Sequence, residues 1–509
     1  MKEQILPGYV EEVVKKTSSV DKGMMFWHRW KHNIPSFDPE RRRVFKAAGT
    51  LAGTFVLEEL LSGCVGPEAA RSQSASYRSD ASPLSQLSFH LSMKAGFHDT
   101  NGNYVAGTEI MHLVPYKGRL YAGNSLTLEE EPTIPKACQV LVLDSPKGRW
   151  RVEHQFTRLN PRMGTMQAIT FSTDGKGNRI GAVSMLLAGL GVVRGPVQIF
   201  TRDDETGRWI PTVIGSVTKI TNIRSIGFHR DRVTGIDRVF AGTDTLGVVG
   251  GVYDSSVLGR IRWETLPEFQ TPPGERVMGF CECNGVLYCA TSRYIFQRTD
   301  GSSASWQQVY FCPQENYYQG IRGLTAVSNP SGTGEVLLFA ALRKVRRIDP
   351  ASGFKETVEL DMSSFLTQRL GSTVTFVLAA YTEFMPYTVP ETGEVIWLFG
   401  FECGYSPSLM ETKRPPNLRL FIATPPKWEG RYLAAEARYF TRYAKGQNIS
   451  YEMAEIRDPS NPKMVSVRAI AVSPFPEDHG QAFYFGGPDC NSTDGHNTAW
   501  IYRGELPSR

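Results

Sequence analysis

An all-β chain made of one small sheet repeated many times is what this sequence predicts, on two observations. The first is a phrase that recurs along most of the chain: a short apolar strand, a turn, then a second strand ending in small residues. It reads Glu109-Ile-Met-His-Leu with Gly118–Gly123, Met166-Gln-Ala-Ile with Leu186–Gly189, and Ile223-Arg-Ser-Ile with Val239–Gly242. It continues as Arg276-Val-Met-Gly with Gly285–Ala290, Ile321-Arg-Gly-Leu with Val336–Ala341, Thr375-Phe-Val-Leu with Val395–Gly400, and Val467-Arg-Ala-Ile with Ala482–Gly487. The second is composition: 41% hydrophobic and 11% aromatic residues with 48 Gly and 31 Pro supply a large core and many turns. Seven copies, mostly about fifty residues apart, predict a radial array of sheets, a seven-bladed β-propeller over residues 90–509. Radial repetition lets one domain grow to this length because each blade buries its faces against its neighbours.

Ahead of the repeats, residues 1–64 read as an export segment. Arg42-Arg43-Val44-Phe45-Lys46 precedes the mildly apolar Ala47–Leu57, and Leu61-Ser62-Gly63-Cys64 follows. This resembles a bacterial twin-arginine signal ending in a lipobox, although Glu58 and Glu59 interrupt the apolar run. The resemblance implies cleavage before Cys64, a lipid on its thiol, and a periplasmic or envelope-anchored protein. The apolar run is too short for a conventional membrane-spanning helix. Residues 65–89 include a stretch rich in Ser, Ala and Arg and read as a flexible tether.

Within the blades, an aspartate, a turn and a tryptophan recur at one spacing: Asp144 to Trp150, Asp203 to Trp209 and Asp300 to Trp306. The pattern resembles a degenerate Asp-box of sialidase-like propellers, which implies a packing role: the carboxylate caps a turn and the indole fills the wedge between blades. Blade six carries a long insertion at 403–464, in which Ala437–Ala444 and Ile449–Met453 alternate as a hairpin around Lys445–Asn448.

Of the 8 cysteines, Cys64 ends the export-like segment and the rest are scattered through the blades, where two groups bear on pairing. Cys281 and Cys283 precede the hairpin turn Asn284-Gly285, and Cys289 lies on the return strand. In that register Cys281 faces Tyr288 and Cys289 faces Phe280, so Cys281 and Cys289 point to opposite sides and neither a disulfide nor metal ligation is expected of them. Cys403 and Cys490 each follow a second strand in neighbouring blades, which leaves their pairing open in an oxidising compartment.

Aligning the innermost strands brings Gln167, Arg224, Arg276, Arg322 and Arg468 into one register, with Glu109 or its neighbour in the first copy. The second strands end in Asn124, Asp244, Ser292, Glu402 and Asp489 on the same side. One mouth of the channel is thus expected to hold arginines with carboxylates. They either neutralise one another as ion pairs or leave guanidinium forks to clamp an anion. The loop Pro488–Asn497 adds His496, which with Asp489 has the groups for proton transfer. His98–Asn103 has oxygens at alternate positions but lacks the glycine and glutamate of a calcium loop, and reads as a turn.

These features set an expectation and an alternative. The expectation is an exported, monomeric propeller that binds an anionic small molecule, a glycan or a partner protein at the charged mouth. The alternative is a lyase- or hydrolase-type enzyme acting on a carboxylated substrate, with arginines holding the carboxylate and His496 or a tyrosine moving protons. No motif specifies a cofactor, and no metal site is expected. A net charge of +5 is small for 509 residues and gives no forecast of nucleic-acid binding; membrane contact is expected only through a lipid on Cys64.

Overall fold

The computed structural model describes residues 76–77 and 83–507, apart from 128, 130, 314–319, 371–373, 406–417, 422–430, 435–436, 458–465 and 490–495. The export-like residues, including Arg42, Arg43 and Cys64, lie outside the described residues, as does Cys490. The chain divides into two units, Met1–Ala70 and Arg71–Arg509, and only the second is described.

Arg71–Arg509 is all-β and propeller-like, a succession of antiparallel strand sets that follow the chain in order. The first set is Glu109–Tyr116, Arg119–Ser125, Gln139–Leu143 and Arg151–Gln155. The second runs from Arg162–Thr173 to Trp209–Val217 and the third from Thr221–Arg230 to Ile261–Trp263; pairing of Gly191 with Asn222 joins them into one eight-stranded sheet. The fourth spans Val277–Cys283 to Ser305–Phe311, and the fifth Arg322–Ser328 to Lys355–Asp361. In the last set, Ala469–Val472, Ala482–Pro488 and Ala499–Glu505 are completed by Ser88–Lys94 from the other end of the unit. That strand forms the outer edge of the last set and so joins the two ends of the described chain in one sheet.

Each set shares a core with the next. Tyr121 and Val140 pack with Leu186 and Met163, Ile226 and Ala241 with Leu187, and so on round to Ala471 and Tyr484, which pack with Leu113 and Leu141 of the first set. The small residues of the repeated phrase follow from this geometry. A Cβ on Gly189 would lie 2.6 Å from Ile223, and one on Gly242 would lie 2.3 Å from Val277, because the sheets approach most closely at their inner strands.

A second device recurs at alternate joints. Arg202 and the Trp209 indole both donate to Glu153 of the preceding set, at 2.9 and 3.1 Å. Arg298 and Trp306 do the same with Glu268, at 2.8 and 3.0 Å. Arg442 donates to Glu359 at 2.7 Å, with the Tyr451 hydroxyl in place of the indole at 2.6 Å. The tryptophans that follow Asp203 and Asp300 thus fill the wedge and also donate a hydrogen bond to a buried carboxylate that the arginine neutralises.

The sixth set departs from the sequence reading in two ways. The hairpin Arg438–Lys445 and Asn448–Glu455, assigned to an insertion at 403–464, is its outer half: Trp397 pairs with Arg442 and Tyr443 with Ser450. The alternation of this segment reflects two buried faces of an ordinary sheet, so the excursion lies earlier, between Tyr405 and Arg438, and carries the paired strands Leu418–Phe421 and Arg431–Ala434. The first strand is also split. Val374–Ala379 pairs with Phe401–Tyr405, whereas Met385–Thr388 takes the place opposite Val395–Leu398. Within residues 65–89, Ser76–Tyr77 pairs in parallel with Ser450–Tyr451.

Candidate functional site

The split strand creates the main irregularity at the centre of the unit. Ala379 faces Phe401 and Met385 faces Leu398, so the five residues Ala380–Phe384 stand opposite Phe399 and Gly400 alone. Such an oversized bulge must project from the sheet, here on the side of the first strands. Its start is strained, since Ala380 has a φ of 47°. Three contacts hold it. The Thr382 hydroxyl donates to the Arg468 carbonyl at 3.0 Å, Phe384 packs on Phe399 at 4.7 Å between centroids, and Gly323 leaves the space that the bulge backbone occupies.

Tyr381, at the crest of the bulge, is where three arginines from three other sets meet. The Arg468 guanidinium lies 4.1 Å from its ring centroid and that of Arg322 5.1 Å, while Arg162 donates to its hydroxyl at 2.5 Å. Stacked guanidiniums on an aromatic face are attracted to the ring's negative face, and the hydroxyl supplies a third cation with an acceptor. Arg322 is the deepest of these, 3% exposed, with a further contact to the Met278 sulfur at 3.7 Å.

Two more arginines and three carboxylates are placed at this end. Arg224 makes a two-pronged pair with Asp244 at 2.7 and 3.1 Å, and Asn222 donates to the same carboxylate at 2.8 Å. Arg276 is close enough to Asp244 to help hold that carboxyl below its ordinary range, against the raising effect of burial, which is the largest single influence. Arg468 pairs with Glu402 of the sixth set at 3.0 Å, and Ser466 also donates to Glu402. Glu109 of the first set is buried one residue before Ile110, as Arg276 stands one residue before Val277.

The predicted ring is thereby partly redrawn. Arg224, Arg322 and Arg468 do share a position, each directly following the apolar residue (Ile223, Ile321, Val467) that packs on the neighbouring sheet. The matching residue of the fourth set is Met278, one after Val277, and Arg276 stands one residue before that valine. Its counterpart in the second set is Arg162, one before Met163. Gln167 lies farther along its strand, opposite Leu187. Arg162 and Tyr381 went unnoticed in the sequence; the signal for Arg162 was an Arg-apolar pair matching Arg276-Val277, whereas Tyr381 required knowledge of the bulge.

The remaining candidates sit apart from Tyr381. Asp489 is buried, with Lys94 at 4.0 Å and its amide bonded to the Thr498 carbonyl. His496 contacts Glu129 through Nδ1 at 2.8 Å and Asn497 through Nε2 at 2.6 Å. Neither described contact joins His496 to Asp489, and no described hydroxyl or thiol hydrogen-bonds to the imidazole. The Asp99 carboxylate accepts from the amides of Asn101, Asn103 and Val152, a turn-closing arrangement. Cys281 faces Tyr288 and Cys289 faces Phe280, across a turn in which Asn284 and Gly285 both have positive φ.

Two groups on the first strands have strongly altered protonation. His112 takes the Gly164 carbonyl at 3.1 Å, which only accepts, so Nε2 carries the hydrogen and Nδ1 is left as an acceptor. Burial, with a smaller effect of Arg162, pushes its pKa down to about 4. Glu383, on the bulge, keeps solvent-exposed surface, yet desolvation by the surrounding protein pushes its carboxyl up to about 7.

No protein-family model and no curated protein matches this chain. Among solved structures, the major allergen Mala s 1 of Malassezia sympodialis is similar over 66% of this chain and 96% of its own, at 11% identity and a TM-score of 0.33. A protein of unknown function from Bacteroides thetaiotaomicron is similar over 53% of this chain and 63% of its own, at 10% identity and a TM-score of 0.29. At those values neither likeness bears on what the chain does.

Proposed function

We propose that the chain is an exported seven-bladed β-propeller that binds an anionic small molecule or glycan at the arginine-lined mouth around Tyr381. The observation that carries this reading is the convergence of Arg162, Arg322 and Arg468, from three different strand sets, on one tyrosine ring. Guanidinium groups brought together from separate strand sets offer planar donor forks that match a carboxylate, sulfate or phosphate, and low-dielectric surroundings strengthen that attraction. Asp244 and Glu402 neutralise part of the charge and fix Arg224 and Arg468 in place. Arg162, which reaches the Tyr381 hydroxyl, is half-buried, as is Arg276 beside Asp244, whereas Arg322 is buried. The twin-arginine and lipobox resemblance supports export.

The test is a thermal-shift titration of the full chain with acetate, sulfate and a phosphate ester, repeated with Arg162→Ala and Arg276→Ala. A ligand that binds only the folded state raises the melting temperature by mass action, by roughly 2.7 kcal/mol of added stability at a hundredfold excess over Kd. A shift in the parent that shrinks in both variants is the expected result. No shift with any anion would reject the reading.

A further inference from the structure

Three connections at one end of the second strand set carry a pattern that the arginine cluster does not use. The turn from the first set reads Thr157-Arg158-Leu159-Asn160, the link from Arg179–Val192 to Gly195–Arg202 is Val193-Arg194, and the link to the third set is Thr218-Lys219-Ile220. Each exposes one aliphatic residue beside one basic residue, and none contains an acid. Local geometry explains the exposure. The Asn160 amide donates to the Thr157 carbonyl at 2.8 Å, which closes a tight turn with Arg158 and Leu159 at its crest, and Val193-Arg194 is the crest of a two-residue hairpin. Leu159 is 46% exposed, Val193 37% and Ile220 46%.

Backbone contacts bring the three crests side by side. The Val193 amide donates to the Leu159 carbonyl at 3.0 Å, and the pairing of Val192 with Thr221 sets Val193 opposite Ile220. The aliphatic residues thus form one patch rather than scattered positions, bordered by Arg158, Arg194 and Lys219. These three basic residues are exposed, and among the described residues none is in an ion pair. The carboxylates of the adjoining connections are engaged by partners of their own: Asp244 by Arg224, Glu129 by His496, and Glu131 by the Thr133 amide and hydroxyl.

Going beyond the anion site at Tyr381, we propose that this patch docks on the surface of an anionic lipid bilayer. Exposed guanidinium and ammonium groups meet lipid phosphates, and each adds an attraction that salt screens. Aliphatic tips between them enter the boundary of headgroups and acyl chains, where buried apolar area adds to the binding. An acidic protein would meet the same charges, but turn crests offer its chain no strand edge to pair with, and a bilayer needs none.

The test is flotation of the full chain with vesicles of phosphatidylcholine alone and of phosphatidylcholine mixed equally with phosphatidylglycerol, alongside capture on immobilised poly-L-glutamate. The N-terminal segment is the same in every sample, so the patch is read from variants, each checked for a cooperative melt. The parent should bind the mixed vesicles in preference to phosphatidylcholine. Combining Arg158→Gln, Arg194→Gln and Lys219→Gln should weaken that binding about a hundredfold, the loss expected for three basic residues at an anionic surface. Combining Leu159→Ser, Val193→Ser and Ile220→Ser should weaken it about tenfold. Equal binding by the parent and both combined variants would overturn the proposal. Binding lost in Arg162→Ala but kept in both combined variants would also overturn it, by moving the headgroup into the mouth. So would capture by poly-L-glutamate without binding to vesicles, which would assign the patch to an acidic chain.

Discussion

Replacing Gly323 by alanine should test whether the bulge is held where the site needs it. Gly323 has a φ of 61°, and a Cβ built there lies 2.7 Å from the Ala380 Cβ, 3.0 Å from the Ala380 carbonyl oxygen and 3.1 Å from the Phe384 ring. Two costs add. A left-handed backbone costs an alanine about 1–2 kcal/mol. Forcing a methyl into a packed site typically costs about 1–3 kcal/mol, and here two of the three obstacles belong to Ala380 of the bulge rather than to the end of a flexible side chain. Gly323→Ala should therefore destabilise by roughly 2–5 kcal/mol. Gly353 provides the control, with a φ of 67° and nothing within 4 Å of its added Cβ, so Gly353→Ala should cost only the backbone part, about 1–2 kcal/mol. Urea unfolding of parent and variants, compared by midpoint at constant slope, gives both values. The same displacement would shift Tyr381 and Glu383, so Gly323→Ala should also lose the anion-dependent thermal shift that Gly353→Ala retains. Equal destabilisation by the two substitutions, within about 0.5 kcal/mol, would refute the claim that Gly323 exists to admit the bulge.

Other consequences concern the joints, the channel and the N-terminus. Glu359→Ala leaves Arg442, 1% exposed, as an uncompensated buried charge and should cost about 3–5 kcal/mol in urea unfolding, whereas Glu359→Leu combined with Arg442→Met should recover most of that loss. His112 has a folded pKa near 4 against an ordinary value near 6.5, so the unfolded chain binds the extra proton between them. Its contribution to stability is full above pH 6.5 and is lost as pH falls toward 4, and His112→Gln should flatten the pH dependence of the urea midpoint over that window. An NMR titration in which the His112 ring protonates near pH 6.5 would contradict this. Cys64→Ala should leave an exported chain without a lipid, moving it from the membrane to the soluble fraction of a bacterial host; identical fractionation of parent and variant would reject lipidation.

Much of the architecture was legible because one local phrase is repeated. Alternating apolar strands, the Asn284-Gly285 turn and the small residues near Gly189 and Gly242 each reflect short-range rules, and the strand sets follow the chain in sequence order. The arginine positions were legible only in part. Arg224, Arg322 and Arg468 share a place, but Arg276 precedes the matching apolar residue Val277 and Gln167 lies beyond Met163, so both fall outside that register while Arg162 takes the place of Arg276, because the pattern along one strand does not fix its pairing with the next. The sixth set was misread for the same reason: period-two alternation locates a strand but cannot tell which partner it pairs with.

The sequence alone thus determined the kind of element and the repeated all-β plan, because hydrophobic period, turn residues and glycine at close approaches act between near neighbours. Only the tertiary structure decided which charges meet. Tyr381 joins Arg162, Arg322 and Arg468 across as many as 219 positions of chain, and Arg442 finds Glu359 across 83. Such encounters depend on how successive sheets close on one another, and the five bulged residues that create the meeting point look, in one dimension, like the middle of a strand.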